Sequence, residues 1–235
     1  MSISKRITEA AQSAAQTRAT AAADTEQHRA VTLVKAWQAY RLSKSYADLL
    51  ATPRYRESAL FFLQDLYGPG DHAARDGQLA RVIPALTRFL PAAALGTICE
   101  AIELDALSEM LDNRLAAQLR GRTELLSERF DRSAYGHAYR IAGTPAERSA
   151  QLVLVGAIGR SLDRLVRKPV LGGLLTSMGP AARAAGVGSI HEFLQRGFRA
   201  FKAMGGATEF LQLIDSRERR IAAELDAGND TVLPE

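Results

Sequence analysis

The stretch TPAERSAQLVLVGAIGRSLDRLVRKP, residues 144–169, decides the fold class of this chain. Its first residues, Thr144–Glu147, form the pattern of a capping box with proline at the first helical position. The pattern predicts one helix that runs to about Arg167 and ends at Lys168-Pro169. Leu152–Val155 is apolar on every side of that helix. A helix of this kind lies at the centre of a domain.

The rest of the chain has the same periodicity. Apolar residues recur at helical spacing in nearly every segment, good helix formers such as alanine, leucine and arginine dominate, and no segment shows the alternation of a strand. The connections between segments are short, and no repeat of 20–50 residues is evident. The sequence therefore predicts an all-α protein, a single compact domain of roughly eight to ten helices.

The two ends differ in composition from this domain. Apart from Met1, residues 1–30 have only Ile3 and Ile7 as large apolar residues, which predicts a less-packed N-terminal helical arm that projects or docks loosely. Residues 31–226 are expected to form the all-helical domain. Residues 227–235 contain glycine, asparagine, aspartate and proline, and are expected to form a short disordered tail.

Charge and cysteine content exclude several classes of function. The 30 basic and 26 acidic residues leave a formal net charge of +4, which is a weak field at this length, and charges of both signs alternate along the chain. Binding to nucleic acid is therefore not favoured. The single cysteine, Cys99, excludes an internal disulfide and every multi-cysteine metal site. The longest apolar run, Leu152–Ile158, is too short for a transmembrane segment, and no secretory signal is recognised, so we expect a cytoplasmic protein.

The usual catalytic and cofactor patterns are also missing from the sequence. No glutamate is followed three residues later by histidine, which disfavours a di-iron site, and no Gly-x-Ser-x-Gly pattern occurs. Glu100, Glu103 and Asp105 are expected to form a solvated or arginine-paired face. Gly156 and Gly159 lie in a helical context, where they favour close approach of helices. We predict no metal and no cofactor.

One segment, residues 61–76, gathers aromatic residues, a Gly-Pro-Gly turn and several ionisable groups. Its polar side chains could line a binding pocket at a corner between two helices. The alternative is purely structural, with the apolar residues in the core, Asp71 as a helix cap and Arg75 paired with a nearby carboxylate. The candidate binding residues in this segment are Asp65, Tyr67, Asp71, His72, Arg75 and Asp76.

The same segment resembles a motif of an uncharacterised family of bacterial all-helical proteins. The pattern is FFLxDLYGPxDxxxRD, which begins at Phe61 and ends at Asp76. Weaker similarity extends through Glu103–Asp112 and Gly197–Phe210. The resemblance implies a helical fold and no particular activity.

A second segment, Val170–Gly188, is apolar and broken by glycine and Pro180. It could gate a cavity for an acyl-like or other apolar ligand. The alternative is a short buried helix with a Gly-Pro corner.

These observations favour a binding module without catalytic activity, which acts on a protein partner or forms a homo-oligomer. The second hypothesis is a helical pocket protein for an apolar small molecule, with Tyr67, Arg75 and Val170–Met178 near the pocket. An enzyme of unknown class is the third.

Overall fold

The computed structural model describes residues 2–63, 92–120, 131–184, 186 and 188–234. These residues form eleven α-helices and contain no strand, which confirms the all-α prediction. The helices are α1 (Ile3–Ala22), α2 (Thr25–Ser45), α3 (Ala47–Ala51), α4 (Pro53–Phe61), α5 (Ala92–Leu119), α6 (Arg132–Ala142), α7 (Pro145–Val166), α8 (Pro169–Ser177), α9 (Gly179–Ala184), α10 (Gly188–Met204) and α11 (Thr208–Asp226).

Helix α7 begins where the sequence predicts. The Thr144 hydroxyl accepts a hydrogen bond from the Glu147 backbone amide at 3.2 Å, and the Glu147 carboxylate accepts one from the Thr144 amide at 2.8 Å. The hydrogen bond from the Thr144 backbone, followed by one from Arg114, lowers the pKa of Glu147 to about 2. The capping box is therefore complete, and Arg114 connects it to α5.

Helix α7 contacts several other helices, but it is not enclosed on every side as predicted, since Val153 is 53% exposed. It packs against α5, α8, α10 and α11. The apolar core around it is divided into three clusters. The first joins parts of α2, α5, α6 and α11, the second joins α3, α4, α10 and the start of α11, and the third joins the start of α1 to the start of α5.

The N-terminal region divides into α1 and α2 at Asp24, whose side chain accepts hydrogen bonds from the Glu26 and Gln27 amides. Helix α1 packs along α5 and does not project. Small residues allow this approach, since the buried positions of α1 are Ile7, Ala14 and Ala21. The arm thus has few large apolar contacts, as expected, yet it is docked.

Ion pairs supply the specificity of this docking. The Arg6 guanidinium donates two hydrogen bonds to Glu103, at 2.9 and 2.8 Å, and Arg18 pairs with Asp105 at 3.1 Å. These contacts confirm the arginine-paired alternative for Glu103 and Asp105. A bidentate guanidinium–carboxylate contact fixes register as well as distance.

Residues 227–234 differ from the expected disordered tail, because they fold back on the domain. Asp230–Val232 forms a 3₁₀ turn, Arg140 donates a hydrogen bond to Asp230 at 2.7 Å, and Leu233 is buried in the first cluster. Gly136 permits this contact, since a Cβ there would lie 1.9 Å from the Asp230 carboxylate. The partner of the tail is on another helix, so local composition did not indicate it.

Among the helices described, none has the length and apolar character that a membrane crossing requires.

Candidate ligand cavity

A cavity of about 480 Å³ lies between the three apolar clusters. Its wall includes residues of α2, α4, α5, α6, α7, α8, α10 and α11. Ligand sites of proteins commonly have volumes of ~300–1,000 Å³, so the cavity has the size of a small-molecule site. Because the described side chains do not fill the middle of the bundle, the apolar core is divided into separate clusters around the cavity.

One part of the wall is apolar. It is formed by α4, α7, α8 and α10, in which α10 packs against the other three helices. Its side chains are aliphatic or aromatic and include Phe61, Val155, Ile158, Leu162, Leu171, Leu174, Met178, Leu194 and Phe198. An alkyl chain of a ligand would be buried among such side chains.

Helix α8 is the most exposed element of this wall. None of its residues is buried, and Val170 is 80% exposed, whereas Leu171 and Leu174 line the cavity. The His191 ring nitrogen Nε2 lies 2.6 Å from the carbonyl oxygen of Leu175 and so holds the end of α8 to α10. Residues of the segment Val170–Met178 therefore line the cavity, while the role of this segment in binding a ligand stays a prediction.

A second part of the wall, formed by residues of α2, α5, α6 and the start of α7, is polar. Glu109 accepts a hydrogen bond from Lys35 and forms an ion pair with Arg18 at 3.0 Å. The Gln38 amide donates to Asp112 at 2.9 Å and contacts the Tyr135 hydroxyl at 3.3 Å. Glu109 and Asp112 are 4% and 8% exposed, so these charges are inside the protein.

A further carboxylate of the wall, the half-buried Glu218, joins α11 to α2. It accepts hydrogen bonds from Arg41 at 2.6 Å and from the Tyr46 hydroxyl at 2.7 Å. Burial acts to raise the pKa of Glu218, but the Arg41 charge and these hydrogen bonds outweigh burial and lower the pKa. Glu218 is therefore a carboxylate whose charge is neutralised within the wall.

Asp112 has the opposite balance. Burial raises its pKa from the ordinary value of 3.8 to about 6, although the Gln38 hydrogen bond and the positive charges of Lys35 and Arg148 act against the rise. Neighbouring Glu109 adds to it. Asp112 thus gains or loses its proton near neutral pH, at the polar end of the cavity.

Arg148 is the most unusual member of the polar wall. Its guanidinium lies over the Tyr139 ring, 4.3 Å from the centroid, and donates one hydrogen bond to Gln151 at 3.3 Å. The residue is 8% exposed, yet its Nε and Nη2 atoms have no hydrogen-bond partner among the described residues. Gly143 lies beside this edge of the guanidinium and brings no side chain against it. An unsatisfied buried guanidinium is costly.

The candidate residues predicted from the sequence, Asp65, Tyr67, Asp71, His72, Arg75 and Asp76, lie outside the described residues. The start of their motif is described. Phe61 and Phe62 line the cavity and also pack against aromatic residues of α10 and α11. The motif therefore begins at the cavity wall, while its role as a site stays a prediction.

Other sequence predictions concern single residues. Cys99 is buried, and burial raises the pKa of its thiol, so it is a packing residue of the third cluster. Gly159 allows α11 to approach α7, since a Cβ there would lie 2.3 Å from the Leu211 side chain. Within the described parts of the chain, no group of three histidine, cysteine or acidic side chains could hold a metal ion.

Sequence reasoning missed Glu109, Asp112 and Arg148. The signal that could have found them is a charge on an apolar stripe. Arg148 precedes Leu152 by four residues and Val155 by seven, so it shares their face of α7. Glu109 and Asp112 follow Ile102 by seven and ten residues on α5, at the spacing of the same face.

Comparison with known proteins places the chain in a family of unknown function. A family model described as a domain of unknown function, DUF8198, matches residues 17–232. The chain therefore belongs to this family, and the expectation of an uncharacterised family is confirmed. No curated protein and no solved structure matches the chain.

Proposed function

We propose that this protein binds an amphipathic small molecule in the central cavity, with the apolar part of the ligand between α7, α8 and α10. The observation that carries the proposal is a cavity of about 480 Å³ whose lining combines a large set of apolar side chains with a smaller set of buried polar ones. Because each ligand part would find a matching wall, the cavity favours an amphipathic molecule over a wholly apolar one.

The volume also limits the ligand. At the ~30 Å³ that a water molecule occupies in the liquid, the cavity has room for on the order of sixteen heavy atoms. A chain of about ten carbons with a small head group fits within this limit. We therefore use decyl compounds as probes of the site.

The alternative of a protein-partner module has less support from the described surface. Its exposed large apolar residues are Tyr40, Ile141, Val153 and Val170, which belong to four different helices. Scattered apolar residues of this kind are normal on a monomer and do not form an interface. The cavity is therefore the better-supported site, and the proposal involves binding without a catalytic step.

Calorimetric titration with 1-decanol tests the proposal. We expect binding of one molecule per chain with a negative heat-capacity change, which is the signature of apolar burial. The variant Val155→Phe should weaken this binding, because Val155 lines the cavity. The matched control is Val153→Phe on the same helix, where the side chain is 53% exposed. Equal binding by both variants, or no binding by the wild type, would contradict the proposal.

A further inference from the structure

The cations of the cavity wall differ in whether a carboxylate neutralises them. Lys35 contacts Glu109, and Arg41 contacts Glu218 at 2.6 Å. Asp105, the third wall carboxylate with a partner, pairs with Arg18 at 3.1 Å. These ion pairs neutralise most of the charged side chains in the polar part of the cavity wall.

Two charged wall residues are left without a partner of opposite charge in contact. Arg148 donates only to Gln151, and Asp112 accepts only from Gln38, among the contacts of the described residues. Their charges nevertheless act on each other, since Arg148 opposes the rise in the pKa of Asp112. The polar wall thus holds one buried guanidinium with free N–H groups and one carboxylate that only partly compensates it.

We propose that the ligand has a head group with a single negative charge, which Arg148 binds in competition with Asp112. This inference rests on the proposed function and specifies its ligand class. One negative charge suffices, because one cation of the described wall lacks a bound carboxylate. A carboxylate or sulfonate head group at the polar wall would supply the negative charge that no described residue brings into contact with Arg148.

The competition makes anion binding depend on pH. Asp112 is uncharged below about pH 6, so Arg148 is then uncompensated, whereas above this pH the Asp112 charge repels the anion. Around Asp112 the packed elements present other polar groups, namely Lys35 and Gln38 on α2, Tyr135 on α6, Arg148 on α7 and Glu109 on α5 itself.

The size of the effect follows from the protonated fraction of Asp112. If this fraction limits binding, the apparent affinity falls in proportion to it. With a pKa of about 6, the fraction falls from nearly all molecules at pH 5 to about one in a hundred at pH 8. We therefore expect the affinity for an anionic ligand to fall at least about tenfold between these pH values.

Decyl sulfonate and 1-decanol separate the head group from the alkyl chain. The sulfonate keeps its charge from pH 5 to pH 8, so titration of the ligand does not interfere. We expect the wild type to prefer decyl sulfonate at pH 5 and to lose most of that preference at pH 8. Decanol affinity should be the same at both pH values.

Variants at the two residues identify the source of this preference. Asp112→Asn should bind decyl sulfonate tightly at both pH values. Arg148→Gln should lose the preference for sulfonate, and Arg148→Lys should restore part of it. A cooperative urea unfolding transition shows that each variant is folded. If decanol binds and the sulfonate gains nothing from Arg148 or from low pH, this inference is wrong and the proposed function stands. If neither compound binds to the wild type, both are wrong.

Discussion

Replacing Val155 by phenylalanine tests whether the cavity exists, because the sign of the stability change depends on it. Val155 lies on α7 and lines the cavity. Phenylalanine adds four carbon atoms to the side chain. In a filled core, added carbons strain the packing and cost about 1–3 kcal/mol. In an empty apolar cavity, they are removed from water without displacing other side chains.

The expected gain follows from the number of carbons. At about 0.8 kcal/mol for each buried methylene, four carbons contribute at most about 3 kcal/mol. Lost rotamer freedom and imperfect fit reduce this figure, so we expect a stabilisation of about 1–2 kcal/mol. Valine and phenylalanine have similar helix propensities, so the change in α7 itself adds little.

Urea unfolding of the ligand-free protein, followed by far-UV circular dichroism, measures this change. We expect Val155→Phe to raise the midpoint with an unchanged slope, which identifies a change in stability. Val153→Phe is the control, because exposed substitutions stay within about 0.5 kcal/mol of the wild type. A destabilisation of 1 kcal/mol or more in Val155→Phe alone, on the order expected for overpacking, would refute the cavity.

Further predictions concern the buried charge and the helix contacts. Because burial raises the pKa of Asp112 to about 6, its ionisation removes stability as the pH rises from about 4 through 6. Asp112→Asn should therefore stabilise the protein by about 2–3 kcal/mol at pH 8 and by nothing at pH 4. Urea unfolding that gives the same stability difference between variant and wild type at both pH values would disprove this. Gly159→Ala should lower the thermal midpoint, because the added carbon meets the Leu211 side chain. Gly173 has open space around it, so Gly173→Ala should raise the stability of the protein by about 0.5–1 kcal/mol. If both alanine variants shift the midpoint in the same direction, close packing is not the cause. Ile7→Ala should cost at least about 2 kcal/mol in urea unfolding, since Ile7 is 1% exposed; a cost under about 0.5 kcal/mol would show that α1 does not belong to the folded unit.

The sequence predicted α7 well because its signals are local. The capping box at Thr144–Glu147 and the proline at the start act within one turn, and the apolar residues of α7 follow the helical period. Asp24 is also a local signal, since its side chain caps α2.

The docked ends required information that no single segment contains. Asp230 approaches α6 because Gly136 lacks a side chain, and Leu233 is buried by helices distant in sequence. Helix α1 is held by Arg6 and by small residues that show no large apolar stripe. The composition of the two ends shows that they contain few large apolar residues. Whether such residues pack depends on the helices that they contact, and the local sequence does not contain that information.

The cavity was the hardest feature to predict, because an apolar stripe has the same pattern whether it faces a filled core or an empty space. Val155 and Leu162 follow the helical period of α7 in either case. The charges placed on these stripes, Arg148 on α7 and Asp112 on α5, are the sequence feature that distinguishes the two cases. A buried charge needs a partner, and here the described residues leave that of Arg148 incomplete.

The most direct measurement is a crystal structure of the protein grown with 10-bromodecanol, in which the anomalous signal of bromine locates the end of the alkyl chain. We expect one bromine site per chain, in the apolar part of the cavity near Leu162, Leu174 and Phe198. Bromine found only at surface positions, with the cavity filled by water or by side chains, would contradict it.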